Sequence, residues 1–559
     1  VIGMTLIRTL VALMICVSFS EIGYGQSQPL TSVRIRLASS ASGVSADYSL
    51  DRPVSKFAFE YNAAEPLKDE WTIATPGLIF ENNEVRRSDG LTFSSFKLEA
   101  KALIRRRTIS AYPRVFPIGD EGRAVYASYF VGRQEEFAST LEFELRKGEV
   151  VLGLPAARRL YKVDRAYFSR QAASRYIYIG PSQYVHPGKF ADYIAGPDLP
   201  VWIRREIRQV STRAISYFAA KLHQPLPGKA LFLISHDLTP ASKFWIQGDV
   251  TDGSVAGFQI VGARWKSKTT VTQQDITEIV AHEVAHFWNG SSFRSLETSA
   301  PWLHEGSANY FSYLFANSNM QTGADTPVNA VNICIRGLGS NSVNSTQNYP
   351  AYECGEAVQW FTDLGQRKSG RDIFALWRSL FAIAKANGGF YSSTMFRKLA
   401  EQDTSVSELL KLVFEPGPVE RWNQLPEKLA PFGVNVQRQS PSPEEWRGAA
   451  VAHVLAGQCD GGYGFWTNEK SLKLDTGERC GPLSGDPEVD AVNGHDLLND
   501  AKGVYDAIEV ACKTGEPISF SRRNVDQKWI ARCTKPLAPP PPRFSIIGSS
   551  LPRSSVSKH

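Results

Sequence analysis

His282-Glu283-Val284-Ala285-His286, followed after eighteen residues by Glu305 within Trp302-Leu303-His304-Glu305-Gly306, is the stretch that decides how this chain folds and what chemistry it carries. Residues four apart lie one above the other on a helix, so His282 and His286 would present two imidazole nitrogens to one tetrahedral zinc ion. Glu283 is turned roughly 100° from His282. There it flanks the ion without ligating it and can take a proton from a bound water whose pKa the ion lowers to about 7. Glu305 would add a third ligand from a second helix. The fourth position then stays open for water and a carbonyl oxygen, as a catalytic zinc requires and a closed structural site does not. Three of the nine histidines, His282, His286 and His304, fall in this window, so a chance grouping of core histidines is the weaker account.

The flanking residues predict the helices. Asp275 and Glu278 have capping-box spacing, Ile276, Val280 and Val284 repeat on one face, and Asn289-Gly290 reads as a helix stop. The histidines then lie near the helix end. A loop leads to Pro301, and Trp302 to about Phe315 reads as the second helix, with Pro301 in its first turn. Asn309, one turn beyond Glu305, shares its face and could orient that ligand, though a solvent-facing polar side chain is the stronger account. His304 points elsewhere on the helix and is left out of the metal set.

The spacing H-E-x-x-H, eighteen residues, E is that of the aminopeptidase N family of gluzincins, and Trp302-Leu303-His304-Glu305-Gly306 resembles its W-L-N-E-G segment. The run His286-Phe287-Trp288-Asn289 is more similar to the H-x-W-N of the PDZ-containing glycyl aminopeptidase family. The chain thus resembles a gluzincin zinc metallopeptidase intermediate between the two. The resemblance is specific over about Asp275 to Phe315 and weaker to about Gly433. It implies one zinc ion per chain, held by His282, His286 and Glu305, with Glu283 as the general base that later protonates the leaving amine. Tyr352-Glu353-Cys354-Gly355 resembles the Y-x-x-G segment of both families. Tyr352 would then donate its hydroxyl to the oxyanion of the tetrahedral intermediate, an interaction worth about 3 kcal/mol of barrier. Tyr349 is a nearby rival for that role.

One departure bears on specificity. Aminopeptidase N relatives carry G-x-M-E-N on an edge strand before the zinc helix, and its glutamate holds the substrate's free amino group. The corresponding stretch here, Gly257-Phe258-Gln259-Ile260-Val261-Gly262-Ala263-Arg264-Trp265, lacks that carboxylate. It still reads as an edge strand able to pair with an extended peptide. Aminopeptidase action is what the resemblance implies, and an endopeptidase of the same clan stays open. A non-catalytic, zinc-containing cell-envelope binding protein is the reading from a different class. Glu283 speaks against it, because a purely structural site has no use for a base.

A multidomain α+β chain is expected at 559 residues. Residues 1–25 read as a secretory signal: Arg8 precedes an apolar run from Leu10 to Phe19, too short to span a bilayer, and Gly23 and Gly25 suit cleavage. No later stretch reads as a membrane span, so a secreted or periplasmic location is expected. Residues 28–170 alternate apolar and polar, as in Val33-Arg34-Ile35-Arg36-Leu37 and Leu141-Glu142-Phe143-Glu144-Leu145, and predict an antiparallel β-domain. Residues 175–435 should form a thermolysin-like catalytic domain with a helical completion. Ser440-Pro441-Ser442-Pro443 marks a boundary. Beyond it, within a disulfide-containing domain over 445–535, Val492-Asn493-Gly494 and a helix from about Asn499 to Ala511 resemble the second half of a PDZ domain, with an unrelated disulfide-braced module as the alternative. Residues 537–559, with Pro539 to Pro542, read as a disordered tail.

Beyond the signal six cysteines remain, with no C-x-x-C pair. Disulfides are expected; six cysteines allow fifteen connectivities, of which proximity alone would choose Cys334 with Cys354, Cys459 with Cys480, and Cys512 with Cys533. The first would clamp the loop that delivers Tyr352. A formal net charge of +6, with basic clusters no longer than Arg105-Arg106-Arg107, gives no reason to expect nucleic acid. The expected partner is a peptide or protein substrate.

Overall fold

Alternation builds the N-terminal third: Val33, Ile35 and Leu37 point into a core while Arg34 and Arg36 face solvent. The computed structural model describes residues 30–60, 70–104, 112–154, 165–167, 174–241, 244–297, 300–320, 327–345, 350–460, 462–467, 470–478, 480–523 and 526–549. The expected signal segment and Tyr349 lie outside the described residues.

The first unit contains β1 (Thr31–Ser39), β2 (Gly43–Val54), β3 (Phe93–Lys101), β4 (Val115–Ile118), β5 (Gly122–Tyr126), β6 (Phe137–Glu144), β7 (Glu149–Leu152) and β8 (Tyr176–Pro181). One sheet runs through β6-β1-β2-β3 and a second is ordered β7-β8-β5-β4. Two expectations need correction. The unit is not purely antiparallel, because β1 pairs with β6 in parallel. It also extends past residue 170: β8 pairs with β5 and β7, so residues 176–181 belong to it and not to the catalytic unit. Tyr176-Ile177-Tyr178-Ile179 is buried throughout, and such a run carries no alternation to mark its partners.

The catalytic unit begins with β9 (Val185–Pro187), β10 (Ala191–Ala195), α1 (Val201–Leu222), β11 (Ala230–Asp237), β12 (Trp245–Thr251) and β13 (Val255–Val261). The sheet order is β9-β10-β11-β13-β12. Leu231, Leu233 and Val255 pack into the β-unit's core, whereas Phe232, Ile234, Phe258 and Ile260 pack into the helical core. Burial on both faces explains the continuous apolar runs. The pairing also corrects the edge assignment, since β13, which contains Gly257 to Val261, is internal and β12 is the edge beside the helix that carries His282 and His286. Ala263–Lys266 is a 3-10 turn.

There follow α2 (Thr270–His286), α3 (Pro301–Met320), α4 (Pro327–Leu338), α5 (Ala351–Lys368) and α6 (Ile373–Ala386). The cap of α2 is Thr269, whose side chain accepts from Thr272 N while Thr272 reciprocates, not Asp275. Nor does Asn289-Gly290 stop the chain's winding, which continues as a π-helical turn over Phe287–Ser292.

After β14 (Val434–Gln439), residues 443–537 form a unit with its own core, in which α7 (Pro443–Gln458) and α8 (Ala501–Thr514) meet Leu472, Val489, Ile518 and Phe520. The three disulfides join the cysteines expected. The expectation of a disordered tail is corrected, because Arg543–Ser549 forms β15, antiparallel to β14. Buried Asn332 on α4 exchanges two 2.9 Å hydrogen bonds with the backbone of Phe544, whose ring enters the catalytic unit's core. Among the described residues no helix is long and apolar enough to cross a membrane.

Candidate metal centre and cleft

Helices α2 and α3 bring three donors together. His282 Nε2 and His286 Nε2 are 3.1 Å apart, and each lies 3.2 Å from Glu305 Oε2. Ligands about 2.0–2.1 Å from one tetrahedral zinc would sit roughly 3.3 Å from each other, so the triangle fits that ion. His286 Nδ1 faces Asn289 Oδ1 at 2.9 Å. The amide is fixed by its own donors, since Asn289 Nδ2 reaches His304 O at 2.9 Å and Ser307 Oγ at 2.6 Å. Oδ1 therefore accepts from the Nδ1 proton, so Nε2 is the nitrogen of His286 that offers a lone pair to a metal once its own proton has left. The π-helical turn is what places Asn289 under the ring.

Charge is shared unevenly. Burial would lower His286, but the Glu305 carboxylate, its hydrogen bond and Glu283 together raise it to about 9. Burial would raise Glu305, yet the neighbouring imidazoles hold it well below the usual carboxylate range. His304 stacks on His286 with ring centroids 4.1 Å apart and donates from Nδ1 to Asn289 O at 3.1 Å. Burial and the neighbouring His286 lower it to about 4, so it is neutral. Asn309 lines the cleft. Among the described contacts the orienting hydrogen bonds come instead from Asn289, which the H-x-W-N run contained without disclosing its role.

Glu283 is buried between α2 and β12. A Cβ on Gly248 of β12 would lie 2.7 Å from Glu283 Oε1, so the carboxylate occupies the space that this glycine leaves vacant. Tyr352, at the start of α5, is exposed, and its ring lies 6.4 Å from that of His282 in a near-parallel stack. Two glycines allow this approach. A Cβ on Gly355 would run into Trp302 O and come within 2.8 Å of Gly306 Cα, so α3 and α5 touch backbone to backbone between Glu305 and Tyr352. The Cys334–Cys354 disulfide ties α4 to α5 two residues beyond Tyr352, joining helices where a loop clamp was expected.

These side chains open on a cleft of about 990 Å³. Its floor is α2, α3 and α5, one wall is β12, and Tyr112 and Tyr126 of the β-unit close an end. Asp249, Asp252, Asp275, Glu278, Glu283, Glu305, Glu353 and Glu356 all line it, against one arginine, Arg294, that pairs with Asp252 at 2.9 Å.

Residues 260–359 match the peptidase family M1 domain. The chain carries a gluzincin zinc-metallopeptidase domain. The matched stretch of this metallopeptidase runs from the end of β13 into α5 and contains His282, Glu283, His286, Glu305 and Tyr352. An aminopeptidase N family protein from Idiomarina loihiensis shares its fold at 13% identity, with a TM-score of 0.58 over 92% of this chain and 98% of that one. An M1 zinc metallopeptidase from Deinococcus radiodurans is similar over 69% of this chain and 95% of its own, at 13% identity and a TM-score of 0.42. A comparison with curated proteins finds no match.

Proposed function

We propose that this zinc metallopeptidase is an exported aminopeptidase whose zinc is held by His282, His286 and Glu305. The observation that carries the catalytic reading is the placement of Glu283, a buried carboxylate beside the three converging donors and against the edge strand. Bound zinc supplies a Lewis acid that acidifies water and polarises the scissile carbonyl. Glu283 takes the proton and returns it to the leaving amine. Tyr352 donates its hydroxyl toward the developing oxyanion. Asn289 holds His286 in the tautomer that leaves Nε2 for the metal.

Aminopeptidase action is favoured by the charge of the cleft. Carboxylates that outnumber arginine eight to one attract a peptide's ammonium terminus and repel its carboxylate terminus. Export is supported by the pairing of all six described cysteines in disulfides. The C-terminal unit, PDZ-like on its sequence, would bind an extended chain as an added strand.

The test is mass-spectrometric analysis of a mixed peptide library, with free and acetylated N-termini, after incubation with the protein and its Glu283→Gln variant. Loss of single residues from free termini only, absent in the variant, is the expected result. Internal cuts in both libraries would make the enzyme an endopeptidase. Absence of any Glu283-dependent cleavage would end the peptidase reading in favour of a binding role.

A further inference from the structure

We propose that Tyr112, projecting from the N-terminal β-unit, is the residue that ends the substrate-pairing edge of the cleft and so restricts the enzyme to chain termini. The inference rests on the peptidase reading above and names the specificity determinant of that same site.

The direction of the peptide groups follows from the sheet. Leu231 N of β11 donates to Ser254 O, so in β13 the peptide groups of alternate residues from Ser254 turn to β11, and those of Val255, Gly257 and Gln259 turn to β12. Their register partners are Thr251, Asp249 and Gln247. Ile246, Gly248 and Val250 therefore turn their peptide groups the other way, toward the cleft. An extended substrate would lie against these groups as a sixth strand.

That edge is already closed at one end. Val250 O accepts the Tyr112 hydroxyl at 3.2 Å. The Tyr112 ring is held in place by stacking on Tyr126, with centroids 4.7 Å apart at 22°, and by an edge contact with Tyr176 at 6.1 Å. From Gly248, against which Glu283 sits, to Val250 is two residues, about 7 Å of strand. This length holds one residue and its amino group. A substrate strand antiparallel to β12 runs from Val250 toward Ile246, so the end that meets Tyr112 is the amino end. The wall and the acidic lining thus select the same substrate feature by shape and by charge.

The test compares wild type with Tyr112→Ala and with Tyr112→Leu, which keeps packing on Tyr126 but cannot reach Val250. Each is supplied with one peptide series bearing free, N-acetylated or N-terminally extended ends, and products are read by mass. The expected result is that both variants, with zinc content and thermal midpoint near wild type, cleave N-acetylated peptides at least tenfold faster than wild type and release fragments longer than one residue. Variants that remain folded and zinc-loaded, still remove single residues and still refuse blocked peptides would overturn the role of Tyr112. Wild-type cleavage of acetylated and free peptides at equal rates would overturn it without any variant. Failure of the wild type to cleave any peptide would instead overturn the peptidase reading on which it stands.

Discussion

Gly248 shows how little room the proposed base, Glu283, has to move. Replacing it by alanine puts a methyl group where the Glu283 carboxylate lies, and a shift of about 1 Å at a catalytic group can cost on the order of 100-fold in rate. Gly248→Ala should lower kcat by that order while zinc content, read by atomic absorption, stays at one per chain. Asn289→Ala should act on the metal instead. With the Nδ1 partner of His286 gone, zinc affinity measured against a competing chelator should fall about 10- to 100-fold. The same titration has a predictable pH dependence. His286 in the metal-free protein is raised to about 9, and zinc can bind only after that proton leaves. Affinity should be level above that pH and fall as the solution becomes more acidic, about tenfold per unit for this one proton. A flat profile between neutral and alkaline pH would count against it. The convergence of His282, His286 and Glu305 was legible because it follows from spacing on two helices. Gly248 and Asn289 were not, since one acts through an absent side chain on a strand distant in sequence and the other through a π-helical turn that resembled a helix stop.

Among the elements, the crossing of α3 and α5 matters most. Gly306 and Gly355 meet at backbone distance, and Glu305 and Tyr352 lie next to that crossing. Gly355→Ala should force the helices apart, costing about 1–3 kcal/mol of stability in chemical denaturation and lowering activity in the fraction that stays folded. A fully stable, fully active variant would mean that the crossing is looser than described. The Y-x-x-G spacing could be read as a motif, but its glycine is explained only by the facing Gly306. Strand order was similarly hidden. Gly257–Val261 and Trp245–Thr251 are both short and apolar or mixed, and nothing in either stretch tells which of them is flanked on both sides. Only the ladders of β13, with β11 on one side and β12 on the other, settle it.

In the whole molecule, three cores are linked by surfaces that one-dimensional patterns do not display. The catalytic sheet belongs to two of them at once, and the last described strand comes back to the second after the third has been completed. A proline run ahead of Arg543 suggested a loose tail because composition reports local preference, whereas β15 is held by a non-local ladder and by Asn332. Phe544→Ala should destabilise the catalytic unit by about 3–5 kcal/mol, seen as a lower midpoint in thermal unfolding followed together with loss of zinc. An unchanged midpoint would show that β15 is peripheral.

The return of β15 also sets an order of events during synthesis. Its partner β14 ends at Gln439 and β15 begins at Arg543, so the ribosome adds about a hundred residues between them, which at roughly 5–20 residues per second takes about 5–20 s. Throughout that interval the groove beside β14 and α4 lacks its final strand, and the nascent peptidase carries an open hydrophobic seam. Chaperone contact and the onset of proteolytic competence should both be timed to the arrival of that strand, after every residue of the zinc site has already been translated.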